Sequence, residues 1–195
     1  MGPLAARGEP ACMLDQSLAK APGHAALRRG RVSEAHHVYL VTFTTAQRRA
    51  LFADAELARC AIAALLDRRS WERSELLAWV LMPDHWHGLV ELGPRDSLPA
   101  LVRQLKCCAS RRVRAAMHGL PVLDAVWAQA YHDHALRREE SLIDAARYVV
   151  MNPVRAGLVS DVREYPHWGA VWAGGSVDGV GAGAESRDLW LEGGL

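Results

Sequence analysis

Leu76-Leu77-Ala78-Trp79-Val80-Leu81-Met82-Pro83-Asp84-His85-Trp86-His87-Gly88-Leu89-Val90-Glu91-Leu92 decides the architecture. Leu76 to Met82 and Trp86 to Leu92 read as two strands joined across Pro83-Asp84, and so short a connection favours an antiparallel hairpin. Upstream, Val38-Tyr39-Leu40-Val41-Thr42-Phe43-Thr44 is β-branched and aromatic enough for a largely buried strand. Between them a helix is expected from about Asp54 to Arg69, with Asp54 as N-cap and Leu57, Ile62, Leu65 and Leu66 on its buried side. Downstream, Ser97 can cap a long helix through Leu98, Leu101, Val102 and Leu105, and Val126 to Leu136 is a weaker strand candidate. Ser141 and Asp144 mark the start of a last helix that runs to about Asn152 or a little beyond, with Pro153 near its end. The order strand, helix, strand, strand, helix, strand, helix predicts an α+β fold in which helices pack on a small antiparallel sheet. A ferredoxin-like split β-α-β arrangement is the simplest candidate.

Around this framework the composition changes. Residues 1–28 are rich in Ala, Gly, Pro and Arg without a sustained period and read as a mobile N-terminal arm; 29–173 hold the patterned domain; 174–195 form a Gly-rich acidic tail. The 195 residues carry a net charge of +1, but the tail holds four acids and one base, which leaves +4 for the rest. Between Ser97 and His118, Arg103, Lys106, Arg111, Arg112 and Arg114 meet no acid, and such a stretch can attract polyphosphate or simply form a solvated helix face. The acidic tail is expected to compete with nucleic acid for this basic surface. No apolar run suits a membrane span and the N-terminus has no secretory pattern, so neither role is expected. Cys12, Cys60, Cys107 and Cys108 form no C-x-x-C pair, which argues against a disulfide framework or a cysteine zinc site and for a reducing cytoplasm.

The chemistry concentrates at two places. His85 and His87, two apart on a strand, project to one face while Trp86 points to the other, and two imidazoles on one face can share a metal ion. Nine histidines in 195 positions give roughly 0.4 such pairs by chance, so spacing alone is weak evidence. His132-Asp133-His134 repeats the spacing with Asp where the first pair has a large apolar residue, and spacing leaves the two pairs nearly tied. On the last helix, Ser141, Asp144, Tyr148, Asn152 and Arg155 fall at steps of three and four and line one polar stripe if the helix persists that far. A tyrosine there is either an amphipathic surface residue or a nucleophile, since a phenol forms covalent intermediates when a metal or base offsets its pKa near 10.

Met82-Pro83-Asp84-His85-Trp86-His87-Gly88-Leu89-Val90, with Tyr148-x-x-x-Asn152-Pro153-Val154-Arg155-Ala156-Gly157-Leu158-Val159 farther on, resembles the REP-associated tyrosine transposases. These are a branch of the His-hydrophobic-His single-strand transposases with one catalytic tyrosine. Arg29-Gly30-Arg31-Val32-Ser33 and Asp133-His134-Ala135-Leu136-Arg137-Arg138-Glu139-Glu140 are also similar to that family, and the likeness spans about residues 29–172. The resemblance implies a ferredoxin-like nuclease domain that binds one divalent ion, Mg or Mn, and nicks and rejoins single-stranded DNA near repeat hairpins through a 5′-phosphotyrosine. It makes His85 and His87 metal ligands with Asn152 as the third, and Tyr148 the nucleophile. Asp144, one turn from Tyr148, is a candidate base.

DNA contacts are expected from Arg103, Lys106, Arg111, Arg112 and Arg114 at phosphates, and from Arg29 and Arg31 at bases near a hairpin foot. Arg155 joins this set from the motif after the tyrosine. Trp86 is expected in the core. The expected partner is single-stranded DNA with repeat hairpins, bound by a monomer or homodimer in the cytoplasm. Two rivals share these residues: a hairpin-binding protein that does not cut, and a metal hydrolase acting on small molecules with Tyr148 incidental. The second leaves the acid-free basic stretch unexplained.

Overall fold

In the computed structural model the hairpin forms as its sequence implies: β2 (Glu75–Met82) turns through Pro83 and Asp84 into β3 (His85–Glu91), antiparallel, with Met82 opposite His85. The structure describes residues 34–117, 124–137 and 139–173. β1 (Val38–Thr44) alternates half-buried and buried residues and pairs with β3 on one side. On its other side lies β4 (His132–Ala135). With β5 (Trp168–Ala170) against β2, the sheet order is β4-β1-β3-β2-β5, every pairing antiparallel. The first four strands in this order, with one helix between β1 and β2 and another between β3 and β4, make the ferredoxin-like α+β arrangement.

Each face of the sheet has its own helical cover. α1 (Ala55–Leu65) starts at Asp54, whose carboxylate accepts from the amides of Glu56 and Leu57 at 2.9 and 3.0 Å. With α2 (Leu98–Ala116) it encloses a core that includes Val41, Phe43, Trp79, Leu81, Trp86 and Val90 from the sheet. α3 (Leu142–Val150) covers the reverse face, where Ala146, Val149 and Val150 cluster with Leu77, Ala78, Val80, Met82 and Leu89. A bulge in β2 between Leu76 and Ala78 puts the consecutive Leu77 and Ala78 in this second cluster. No helix among the described residues is long and apolar enough to cross a membrane.

Four local departures from the pattern have physical causes. α1 stops at Leu65 because the Trp71 indole donates to the Leu65 carbonyl at 2.7 Å and Asp67 caps a separate 3-10 turn, Arg68–Ser70. Ser97 sits at the N-cap of α2, but its hydroxyl makes no capping bond. The strand expected over 126–136 shrinks to β4, since the carbonyls of Ala128, Gln129 and Ala130 turn to the Lys106 ammonium (2.9, 3.4 and 2.8 Å) and Trp127 packs on Phe43 and Phe52. β5 has three residues beside Pro166, too few to show a period in sequence. The N-terminal arm with Arg29 and Arg31, and the acidic tail from 174, lie outside the described residues.

Candidate active site

The alternation along β3 sends Trp86 into the core under α1 and α2 and sends His85 and His87 to the α3 side, with Leu89. Trp86 is fully buried, stacked on Phe43 at 4.9 Å between centroids, and its indole fills the space that a Cβ on Gly88 would occupy. The strand is thus anchored by its middle residue, and the two imidazoles are held edge to face with centroids 4.7 Å apart.

Each ring is tethered through Nδ1. Thr42, opposite His87 in the β1–β3 register, places its Oγ1 2.6 Å from His87 Nδ1. His85 Nδ1 meets the Asp84 carboxylate, whose second oxygen accepts from Arg48 Nη1 at 3.0 Å. Arg48 and its neighbour Gln47 hold positive φ values of 52° and 58°, a costly conformation for non-glycine residues that here delivers the guanidinium to the turn. The end of β1 is strapped to the same turn, because the Thr45 amide and hydroxyl both donate to the Asp84 carbonyl (2.8 and 3.1 Å). Burial works to raise the Asp84 carboxyl, but the hydrogen bonds and charges of His85 and Arg48 outweigh it and keep it below its usual value. Burial first, and then electrostatic repulsion that includes the Arg155 charge, push His87 down to about 3, so its ring is neutral, the form that ligates metals. With Nδ1–H as the donor to Asp84 and to Thr42, the Nε2 lone pair of each ring would be left for a cation, the usual outer-sphere support of a metal-binding histidine.

The tyrosine arrives from the helix on the same side of the sheet. Ser141 caps α3, its Oγ accepting from the Asp144 amide at 3.3 Å. The helix does not carry the polar stripe through to Arg155: it breaks at Met151 and resumes as a short α4 (Asn152–Arg155). Pro153 has no N–H to offer the Val149 carbonyl, and Asn152 compensates, its Nδ2 donating to the carbonyls of both Val149 (2.9 Å) and Tyr148 (3.0 Å). Asn152 Oδ1 accepts from Arg155 Nη2 at 3.1 Å, and the same guanidinium lies over the Tyr148 ring, 3.6 Å from its centroid. Arg155 therefore stacks on the phenol, and its positive charge is one of the influences that keep the His87 ring neutral. Asp144 is largely exposed and pairs with Arg147 at 3.8 Å. Two other tyrosines are engaged elsewhere: the Tyr39 hydroxyl accepts from the Glu34 amide at 3.0 Å, and Tyr165 donates to the Leu81 carbonyl at 2.7 Å, burial pushing its phenol up to about 12.

Two imidazoles on one face, each tethered through Nδ1, fit a divalent cation at their Nε2 atoms. Among the described residues no three His, Cys, Asp or Glu side chains gather as a metal cage, so this donor pair would form an open site. The Asn152 carboxamide is tied to two carbonyls and to a cation, and a guanidinium 3.1 Å from Oδ1 disfavours a divalent ion at that oxygen. In the structure Asn152 acts as the clasp of the α3–α4 junction. Asn152→Ala is expected to lower unfolding free energy by about 1–3 kcal/mol, the cost of stranding helix carbonyls and losing the Arg155 contact, and to leave Mn affinity within about twofold. Urea melts and metal titration check both parts.

The basic residues divide. Arg103, Arg111, Arg112 and Arg114 are exposed on α2, on the sheet face opposite the imidazoles. Arg114 Nη2 donates to the Asp124 carbonyl at 3.0 Å, and Arg111 Nη2 approaches Cys108 Sγ at 3.5 Å. Lys106 is spent on the 128–130 carbonyls and lies over the Phe43 ring at 5.3 Å, which makes it a brace between α2 and that segment. Sequence reasoning passed over Thr42, Arg48 and Gly88. The register pairing of Thr42 with His87 and the left-handed turn at Arg48 are tertiary facts with no local pattern, whereas Asp84 stood next to His85 in plain view.

A split β-α-β sheet with two imidazoles on a central strand, and a tyrosine-bearing helix packed on the same side, has the architecture of a single-tyrosine transposase domain. Residues 33–152 match the family model described as "Transposase IS200 like", and the chain belongs to this family. A REP-associated tyrosine transposase of Escherichia coli (strain K12) is 27% identical over 93 residues, covering 47% of this chain and 52% of that protein. The chain spans about half the length of the curated relatives it matches. A solved REP-associated tyrosine transposase bound to a REP hairpin superposes with a TM-score of 0.55 at 24% identity, over 71% of this chain and 79% of that one, a likeness of fold.

Proposed function

We propose that this chain nicks and rejoins single-stranded DNA near repeat hairpins, using Tyr148 as nucleophile and a divalent ion, Mn or Mg, held by His85 and His87. One observation carries the reading: α3, the helix that bears Tyr148, packs on the face of the sheet to which His85 and His87 project, and Arg155 stacks on the Tyr148 ring. Tyr148 Oη attacks the scissile phosphorus in line, its P–O bond forms as the bond to the 3′ oxygen breaks, and the phenol gives up a proton to solvent while the departing 3′ oxygen takes one up as a hydroxyl. The phosphodiester energy is kept in the 5′-phosphotyrosine, so a free 3′ hydroxyl can reverse the chemistry on another strand without ATP. A bound ion supplies polarisation of the phosphate and offsets charge in the transition state. Arg155 holds the ring against its own plane and adds positive charge beside the phosphate, while Asp84 and Thr42 fix the two imidazoles. His85 and His87 would hold the ion through two nitrogens and leave the rest of its shell open to substrate oxygens. The protein works where single strands are exposed in the cytoplasm, as monomer or homodimer.

The test is a labelled single-stranded hairpin with short flanks, incubated with and without Mn and resolved under denaturing conditions. A metal-dependent protein-DNA adduct supports the proposal. Tight binding with no adduct under any divalent ion favours a hairpin-binding protein that does not cut, and absence of DNA affinity favours a hydrolase of small molecules. His85→Ala is expected to eliminate the adduct and weaken Mn binding in the presence of DNA at least tenfold, with hairpin affinity retained to within about threefold. Unchanged cleavage by that variant in metal-free buffer would remove the ion from the mechanism.

A further inference from the structure

The second H-x-H pair, which spacing alone could not rank below the first, lands on the same face of the sheet. β4 pairs with β1 so that His132 lies opposite Thr42 and His134 opposite Leu40. Thr42 is in turn opposite His87 and touches its Nδ1, which fixes the face. Side chains of directly paired residues share a face, so His132, Thr42 and His87 form one row across β4, β1 and β3, and Asp133 turns to the other side opposite Val41. His134 is engaged at the end of β4: its Nε2 meets both Glu140 oxygens at 3.2 Å, and Glu140 also accepts from the Arg137 amide at 2.6 Å. His132 is the exposed member of the pair.

We propose that His132 is a phosphate contact for the single strand beside the scissile linkage. The inference rests on the function proposed above. Two strand spacings separate His132 from His87 at the backbone, roughly 10 Å. Among the described residues no three His, Cys, Asp or Glu side chains gather closely enough to hold an ion, so His132 is not grouped with His85 and His87 as a third ligand. It is close enough for a neighbouring phosphodiester of a strand laid across β1 and β4, with the Thr42 and Thr44 side chains projecting from the same face of β1 between them. An imidazole N–H donated to a phosphate oxygen gives positioning without sequence information, the usual division of labour in DNA binding.

A chemical mutant cycle tests this. Hairpins with a flank, each carrying one neutral methylphosphonate at successive flank positions, and a hairpin without the flank are bound to the native protein, His132→Ala and His132→Gln. Native protein is expected to bind the flanked hairpin more tightly than the bare one. His132→Ala loses about five- to tenfold on the flanked DNA and nothing on the bare hairpin, and one methylphosphonate position costs the native protein the same factor but costs His132→Ala nothing further. His132→Gln, which keeps a donor, recovers part of the loss and shows that the edge strand is intact. Additive losses at every position, or an equal loss on the bare hairpin, overturn the His132 contact while native protein still forms the adduct. Native protein with neither adduct nor flank-dependent affinity sinks the nuclease reading itself.

Discussion

Tyr148→Phe is expected to eliminate the protein-DNA adduct completely while keeping hairpin affinity within about twofold and the melting temperature close to native. The substitution removes one oxygen and leaves the ring under the Arg155 guanidinium at its 3.6 Å stacking distance, so the local packing survives. Under the proposed mechanism, removing the attacking oxygen should cost all of the covalent product, a larger effect than the partial losses that follow from weakening a charge or a tether. Denaturing electrophoresis of labelled oligonucleotide measures it. A persistent adduct in the variant would mean that another residue attacks, and the reading of the α3 face as the reaction centre would have to go.

Gly88→Ala should be the most damaging of the small changes on the sheet. It adds one methyl group, yet that methyl would fall within the indole of Trp86, which is wholly buried and stacked on Phe43, with Phe43 in turn edge-on to Trp127. A close-packed interior transmits such a clash to the strand itself, so a loss of about 2–3 kcal/mol in urea unfolding is expected, together with weakened Mn binding because the shifted strand carries His85 and His87. Combining Gly88→Ala with Trp86→Leu, which clears the space, should cost less than the two single losses added. A single variant that melts like the native protein would show that the indole moves aside freely and does not anchor the imidazoles.

The framework was readable because it is written in local composition, turns and helix caps. The β-branched and aromatic run over 38–44, the short Pro83-Asp84 connection between the apolar runs of 76–92, Asp54 before an apolar helix face and Ser141 before another are local patterns, and each produced an element close to its expected place. The α3 break was less readable, since Pro153 signals an end but not that Asn152 would replace the missing donor and carry the chain into another turn. Within the site, the alternation rule placed His85 and His87 on one face, and a helix period placed Tyr148. What holds them is long-range: Thr42 reaches His87 across 45 positions and Arg48 reaches Asp84 across 36. The charge run on α2 illustrates the opposite error, in which five like residues suggest one common surface although Lys106 turns inward to serve backbone carbonyls.

The placement of α2 also sets a geometric demand on any nucleic acid. Its arginines look away from the imidazoles, with the thickness of the sheet and a helical layer between. A ligand that contacts both must curl past a sheet border, so only a molecule with a bent or folded contour can occupy the two territories at once. Selectivity for a looped substrate over a straight one would then come from the shape of the scaffold before any base is read.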